Sequence, residues 1–158
     1  MPDEKEDADT GMIPQLKLPV NGFEVSCPFG KKGKSWKDGY HGGTDWPCPT
    51  GTPIYAALDG VVGWADNADD GFGFYIRVHH FWKGLSLRTY YAHLYRSLVQ
   101  KGQEVRLGEM IAESGNSGNV VASGPAGDGS HLHFEVRLWD DNMQKWVKTA
   151  PTFFDEIT

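Results

Sequence analysis

The octapeptide His131-Leu132-His133-Phe134-Glu135-Val136-Arg137-Leu138 alternates strictly between polar and apolar side chains. Alternate residues of an extended chain point to opposite faces. Leu132, Phe134, Val136 and Leu138 therefore form one face, and His131, His133, Glu135 and Arg137 the other. The pattern predicts a half-buried β-strand whose apolar side meets a core. Both imidazoles then stand together on the open face, one pleat apart, where they can share a metal or a reacting atom. A His-x-His on its own is equally consistent with a solvated strand face, so its meaning depends on the rest of the chain.

The surrounding composition agrees with a β-rich fold. Among 158 residues there are 20 glycines, 9 prolines and 13% aromatics. Short runs of Val, Ile, Tyr, Phe and Trp are punctuated by Gly, Asn and Asp, which predicts many short strands joined by turns. The length suits one domain with a real core. Acidic residues open the chain: Asp3, Glu4, Glu6, Asp7 and Asp9 against Lys5 leave four of the six net negative charges there. Residues 1–12 read as a disordered acidic tail and residues 13–158 as a single folded domain. The net charge of −6 and the absence of a basic stripe argue against a nucleic-acid partner. No run approaches the ~18 apolar residues of a membrane helix, and the opening lacks the basic and apolar regions of a signal peptide. The default oligomeric state is a monomer.

Several other stretches read as strands. Leu16–Val20 and Phe23–Val25 are short candidates, Phe74–His80 alternates, and Leu87–Leu94 forms a further run. The Asp59-Gly60 step between two apolar runs predicts a hairpin. His79 and His80 lack neighbouring ligand types and read as structural residues. In Tyr40-His41-Gly42-Gly43-Thr44-Asp45-Trp46, two glycines and Pro47 disfavour a helix, so His41 and Asp45 fall on extended or looped backbone. Ser114–Gly129, rich in glycine and serine, runs into the central strand and suits the wall of a binding site.

Collecting His41, Asp45, His93, His131 and His133 gives more imidazoles than a three-ligand site needs, plus one carboxylate. Two imidazoles and a carboxylate make a zinc set of the catalytic kind, with a fourth position for water. Further histidines beside that water can take its proton and stabilise an oxyanion, which suggests hydrolysis of an amide or ester.

Four segments, Tyr40–Asp45, Gly51–Ile54, Tyr91–Leu94 and His131–Val136, resemble in order and spacing the signatures of the M23 family of zinc metallopeptidases, the lysostaphin/LytM type. The resemblance spans Phe23 to Pro151. It implies a mainly β fold, a compact antiparallel β-sheet domain with a substrate groove walled by loops. It implies one zinc ion per chain held by His41, Asp45 and His133, with His93 and His131 as the catalytic pair. The implied activity is endopeptidase cleavage of bacterial peptidoglycan peptides, in the stem or the cross-bridge, without membrane insertion. Such an enzyme acts on the cell wall, outside the cytoplasm. Without a signal peptide in view it reads as a phage lysin, a virion-associated enzyme or a piece of a secreted protein.

The segment Val120–Ser130 lengthens the connection to the His-x-His relative to that family, which implies a reshaped groove wall. Cys27 and Cys48 flank the first metal segment; they either pair, pinning His41 and Asp45 against the preceding strand, or remain free thiols. Glu135 either orients one of the histidines beside it or pairs only with Arg137. Tyr40, Trp46 and Tyr91 line the groove or pack in the core. The competing function is a non-catalytic domain of the same fold that binds cell wall or activates a partner hydrolase. Its relatives lose metal ligands, whereas every position is filled here. A glycosidase would need two opposed carboxylates, and nothing pairs Asp59, Glu104, Glu109, Glu113 and Glu135.

Overall fold

A computed structural model describes residues 13–118, 120 and 128–154. The acidic tail and most of Val120–Ser130 lie outside the described residues. Ten strands follow in chain order: β1 (Thr44–Pro47), β2 (Pro53–Tyr55), β3 (Gly60–Ala68), β4 (Gly73–Trp82), β5 (Leu85–Ala92), β6 (Leu94–Ser97), β7 (Glu104–Val105), β8 (Met110–Ser114), β9 (His131–Asp140) and β10 (Lys145–Thr149). Among the described residues there is no helix.

The octapeptide lies in β9, and the larger sheet is arranged around it. Its strand order is β1-β9-β5-β4-β3-β7, with β10 also on β9; a smaller sheet runs β2-β8-β6. All pairings between these strands are antiparallel. β1 and β10 share one edge of β9 end to end. Thr44 pairs with Phe134 and Thr149 with Val136. On the other edge, Ala92 of β5 faces His133.

Alternation along β9 divides its side chains as the sequence implies. Leu132, Phe134 and Val136 are buried in a core that also takes Ile76 and Val78 of β4, Leu87 and Tyr91 of β5, and Ile54 and Ile111 of the small sheet. Each such side chain contributes about 1.5–3 kcal/mol on leaving water. Phe134 anchors the packing, with its ring edge-on to Trp46 and Tyr91 and tilted against Phe153. Trp46 and Tyr91 are thus core residues; Tyr40 lines the hollow described below.

Two local expectations fail. Leu16–Val20 and Phe23–Val25 form no strands; Leu16 makes only an isolated bridge to Phe153. Leu16 and Val20 instead pack into the core against strands distant in sequence, which local propensity cannot show, while Phe23 and Val25 are exposed. Asp59-Gly60 is not a hairpin either, because β2 pairs with β8 while β3 pairs with β4. The glycine serves a close approach: a Cβ at Gly60 would collide with the His79 carbonyl oxygen. Asp59 instead links the sheets, its Oδ1 accepting the Leu107 N–H at 2.7 Å.

Candidate metal and hydrolytic site

β9 and its neighbours carry the candidate residues to one place. Asp45 on β1 lies opposite His133 on β9, and paired residues of adjacent strands project to the same face. His133 Nδ1 is 2.7 Å from Asp45 Oδ1, and His41 Nε2 is 3.3 Å from Asp45 Oδ2. His131 Nε2 lies 3.9 Å from Asp45 Oδ1. The His93 ring is 4.7 Å from that of His131 and 5.9 Å from that of His133, centre to centre. All five residues line one hollow of about 680 Å³, with Trp36, Tyr40 and Phe72 among its walls. A larger hollow of about 1000 Å³, walled by Phe81, Trp139 and Trp146, contains none of the five.

Backbone carbonyls fix three of the imidazoles. Nδ1 of His41 donates to the Pro28 carbonyl at 3.3 Å, Nδ1 of His93 to Ser117 at 2.7 Å, and Nδ1 of His131 to Gly129 at 2.7 Å. A nitrogen that donates to a carbonyl carries the proton, so in each neutral ring Nε2 holds the lone pair. His93 reaches its place through a left-handed backbone, φ 62°, between β5 and β6. Such a conformation is uncommon outside glycine and here aims a side chain into the site. Its own N–H donates to the Phe72 carbonyl at 2.9 Å, which holds the turn.

His133 is arranged differently. Nδ1 meets Asp45, and Nε2 is 2.7 Å from Glu135 Oε2. Arg137 in turn donates to Glu135 Oε1 through Nε at 3.0 Å and through Nη2 at 2.7 Å. Glu135 therefore engages His133 and Arg137 at once rather than Arg137 alone. The face read as open is in fact covered here, with His133 7% and Glu135 4% exposed. Gly43 makes room for this packing, since a Cβ there would lie 2.6 Å from His133 Cε1. Its freedom serves a neighbouring ring.

Electrostatics follow from this crowding. Burial alone would raise the Asp45 carboxyl, but hydrogen bonds and charge from His133 and His41 outweigh it and hold Asp45 far below the usual carboxylate range. Burial likewise disfavours a charged His133, yet the hydrogen bonds and charge of Asp45 and Glu135 push it up to about 9. His93 goes the other way, to about 4, through burial and repulsion from His131. The site is a buried charge network in which Asp45 and Glu135 flank His133, with the neutral imidazole of His93 beside it.

Its donor set suits zinc. Imidazole nitrogens and a carboxylate oxygen are ordinary ligands of that ion. The carboxylate behind His133 is the kind of partner that fixes a ligating imidazole. Cys27 Sγ, a ring nitrogen of His41 and a carboxylate oxygen of Asp45 also lie within 4.8 Å of one another. Sequence reasoning missed that thiol as a member of the cluster. The signal lies in pairing: Cys27 and Asp45 form an isolated antiparallel bridge. Neither cysteine is in a disulfide, and burial with the nearby Asp45 charge pushes the Cys27 thiol up. The pinning expected of a disulfide comes from the backbone, with Asp45 N–H donating to Cys27 C=O and Ser26 N–H to Asp45 C=O, each at 2.9 Å. Cys48 is buried in the core and out of step with Asp45 along the chain. Phe72, also unforeseen, stacks near His133 at 5.6 Å and leads to Tyr75 and Tyr90 on the same face.

An antiparallel sheet with a His/Asp cluster in its groove defines a metallohydrolase-like class, and comparison with known proteins narrows it. The profile of peptidase family M23 matches residues 39–146. The chain belongs to that family. It is 42% identical over 96 residues to the peptidoglycan DD-endopeptidase ShyA of Vibrio cholerae, covering 61% of this chain and 20% of that protein. It is 33% identical over 118 residues to the DD-carboxypeptidase/endopeptidase Mpg of Neisseria meningitidis, covering 72% and 24%. The chain thus spans about a fifth to a quarter of the length of the curated relatives it matches. A zinc-containing peptidase from Vibrio cholerae superposes with a TM-score of 0.68 at 30% identity, over 88% of this chain and 41% of the other. The catalytic domain of lysostaphin from Staphylococcus simulans gives 0.66 at 26% identity, over 83% and 90%.

Proposed function

We propose that this domain is a zinc-dependent endopeptidase that hydrolyses peptide bonds of bacterial peptidoglycan. The observation that supports it most is the convergence of His41, Asp45, His93, His131 and His133, from three separate stretches of sequence, on one hollow. His41 through Nε2, Asp45 through its carboxylate and His133 through Nδ1 are the ligands of one ion per chain. Bound there, zinc would lower the pKa of a coordinated water towards ~7 and polarise the carbonyl of the peptide. The chain's own groups do the rest. Glu135, held by Arg137, accepts the Nε2 proton of His133 and keeps Nδ1 free for ligation. His93 and His131 present Nε2 lone pairs to the hollow; they accept the proton of the attacking water and then donate to the oxygen on which charge develops. Phe72 and Trp36 wall one side of the hollow with apolar surface. The substrate lies in the cell wall, outside the cytoplasm. All five residues come from one chain, which is compatible with a monomer as the active form.

Elemental analysis of the purified protein, paired with turbidity loss on purified peptidoglycan, tests this reading. About one zinc per chain, with clearing abolished by chelator and by His133→Ala, is the expected result. A zinc-free protein that clears walls equally well in chelator would overturn it. Zinc binding without release of peptide termini from any wall type would favour the non-catalytic, wall-binding reading instead.

A further inference from the structure

Two rows along the sheet from His133, basic side chains line up across the strands. Register sets Lys148 opposite Arg137, Arg137 opposite Arg88 and Arg88 opposite His79. Directly opposed residues project to one face, so these four stand in a transverse row on the face that holds the site. Like charges so placed repel one another, and the chain as a whole is acidic, with a net charge of −6. Two members of the row are neutralised from within the chain, Lys148 by Asp38 at 3.1 Å and Arg137 by Glu135 at 2.7 Å. Arg88 has no carboxylate partner among the described residues.

Arg88 is nevertheless held in place. Its guanidinium carbon lies 3.9 Å from the centre of the Trp146 ring, and Nε donates to His79 Nδ1 at 3.2 Å. Gly63, at the bulge of β3, gives that imidazole its room, since a Cβ there would collide with the ring. Burial and the charges of Arg88 and Arg77 hold His79 below its ordinary value, so it stays a neutral acceptor. Among the described residues the two Nη groups of Arg88 make no hydrogen bond, and Nε of the nearby Arg77 is buried without a partner. A guanidinium fixed on an aromatic face with donors to spare suits a planar carboxylate. Lys148 lines the His/Asp hollow while His79 and Trp146 line the larger one, so the row runs from one to the other.

We propose that Arg88 binds a carboxylate of the wall peptide, which makes this row a specificity subsite remote from the bond that is cut. The inference rests on the reading of the His/Asp hollow as the place of cutting. His133 and Arg137 are four residues apart on one strand, about 13 Å at ~3.4 Å per residue. An extended peptide covers that distance in about four residues. The carboxylate recognised therefore belongs to a residue about four positions from the cut bond, at a chain end or on a side chain. An amide in its place offers one oxygen and turns an NH₂ towards the donors, so the subsite rejects it.

The test uses zinc-loaded protein and cross-linked peptides released from peptidoglycan, with their carboxylates either free or converted to amides. Stopped-flow tryptophan fluorescence reads binding on mixing, and turnover is followed in the same samples. Amidation should weaken binding and raise KM by about 10–100-fold in the wild type, with the change in KM rather than kcat. Arg88→Gln should bind the free peptide as weakly as the amidated one, and Arg88→Lys should recover part of the difference. Lys101→Gln, which removes a charge from the turn before β7, should discriminate as the wild type does. Equal binding of the two peptides by the wild type, discrimination that survives in Arg88→Gln, or binding of neither peptide would overturn the inference. Cleavage without discrimination would overturn the subsite and leave the endopeptidase standing. Discrimination in binding without cleavage would do the reverse.

Discussion

His80 and His93 share most of the properties by which a site histidine is usually sought. They are 5% and 6% exposed, and burial takes both down to about 4. Their hydrogen bonds separate them. His80 Nδ1 donates to the Asp59 carbonyl at 2.7 Å, so Nε2 must accept from Thr89 Oγ1 at 2.8 Å. Thr89 then accepts from Tyr91 Oη at 2.8 Å, and that oxygen accepts from the Ala57 N–H at 2.9 Å. Every donor in this chain is used and each hydroxyl both donates and accepts, and the result is a polar thread through an apolar core. His93 also uses Nδ1 on a carbonyl, but among the described residues its Nε2 makes no hydrogen bond. It lies among three other imidazoles and a carboxylate. Burial and a shifted pKa mark both residues; a lone pair left over in the right company marks only one.

The comparison is broken most severely by removing a proposed ligand. His133→Ala is expected to abolish both zinc retention and peptidoglycan clearing, while His80→Gln keeps both in its folded fraction; metal analysis beside turbidity loss decides. Next, His93→Gln and His131→Gln should each lower turnover by about 10²–10⁴-fold while zinc content stays unchanged. Loss of zinc in either variant would show that the residue is a ligand.

The His80 side of the comparison is a matter of acid stability. Its pKa falls from 6.5 to about 4 in the folded protein, so between those values the unfolded chain binds more protons. Stability is full above pH 6.5 and is lost as pH drops towards 4, by about 3 kcal/mol at most. Urea midpoints at pH 7 and pH 4 should therefore differ more for the wild type than for His80→Gln. Equal differences would remove His80 from the account. The smallest effect belongs to Glu135→Gln, which keeps the shape behind His133 but weakens its hold; zinc affinity should fall about 10–100-fold in chelator competition.

The strand at the centre was legible because alternation is a local signal, and β9 places Leu132, Phe134 and Val136 on the core side as its sequence implies. The fold class and the family were legible for the same reason, from short segments in order. What escaped was set by pairing between distant residues. Nothing near Asp59-Gly60 says that its flanking strands join different sheets. Cys27 gains its neighbour Asp45 only when the first loop crosses β1, and Phe72 meets His133 only when a turn folds over the sheet. Glu135 was visible on the right face, yet its double engagement depends on how deeply that face is covered.

One contact has a consequence for the whole molecule. Asp45 and His133 are 88 positions apart in the chain. An ion shared between them would tie the ends of that long segment as a covalent cross-link would, in a protein whose two cysteines are free. Opening such a tie releases loop entropy to the unfolded chain, so zinc would act as a staple of the fold as well as a reagent. A chain that lost its ion would thus become easier to unravel at the moment it became unable to cut.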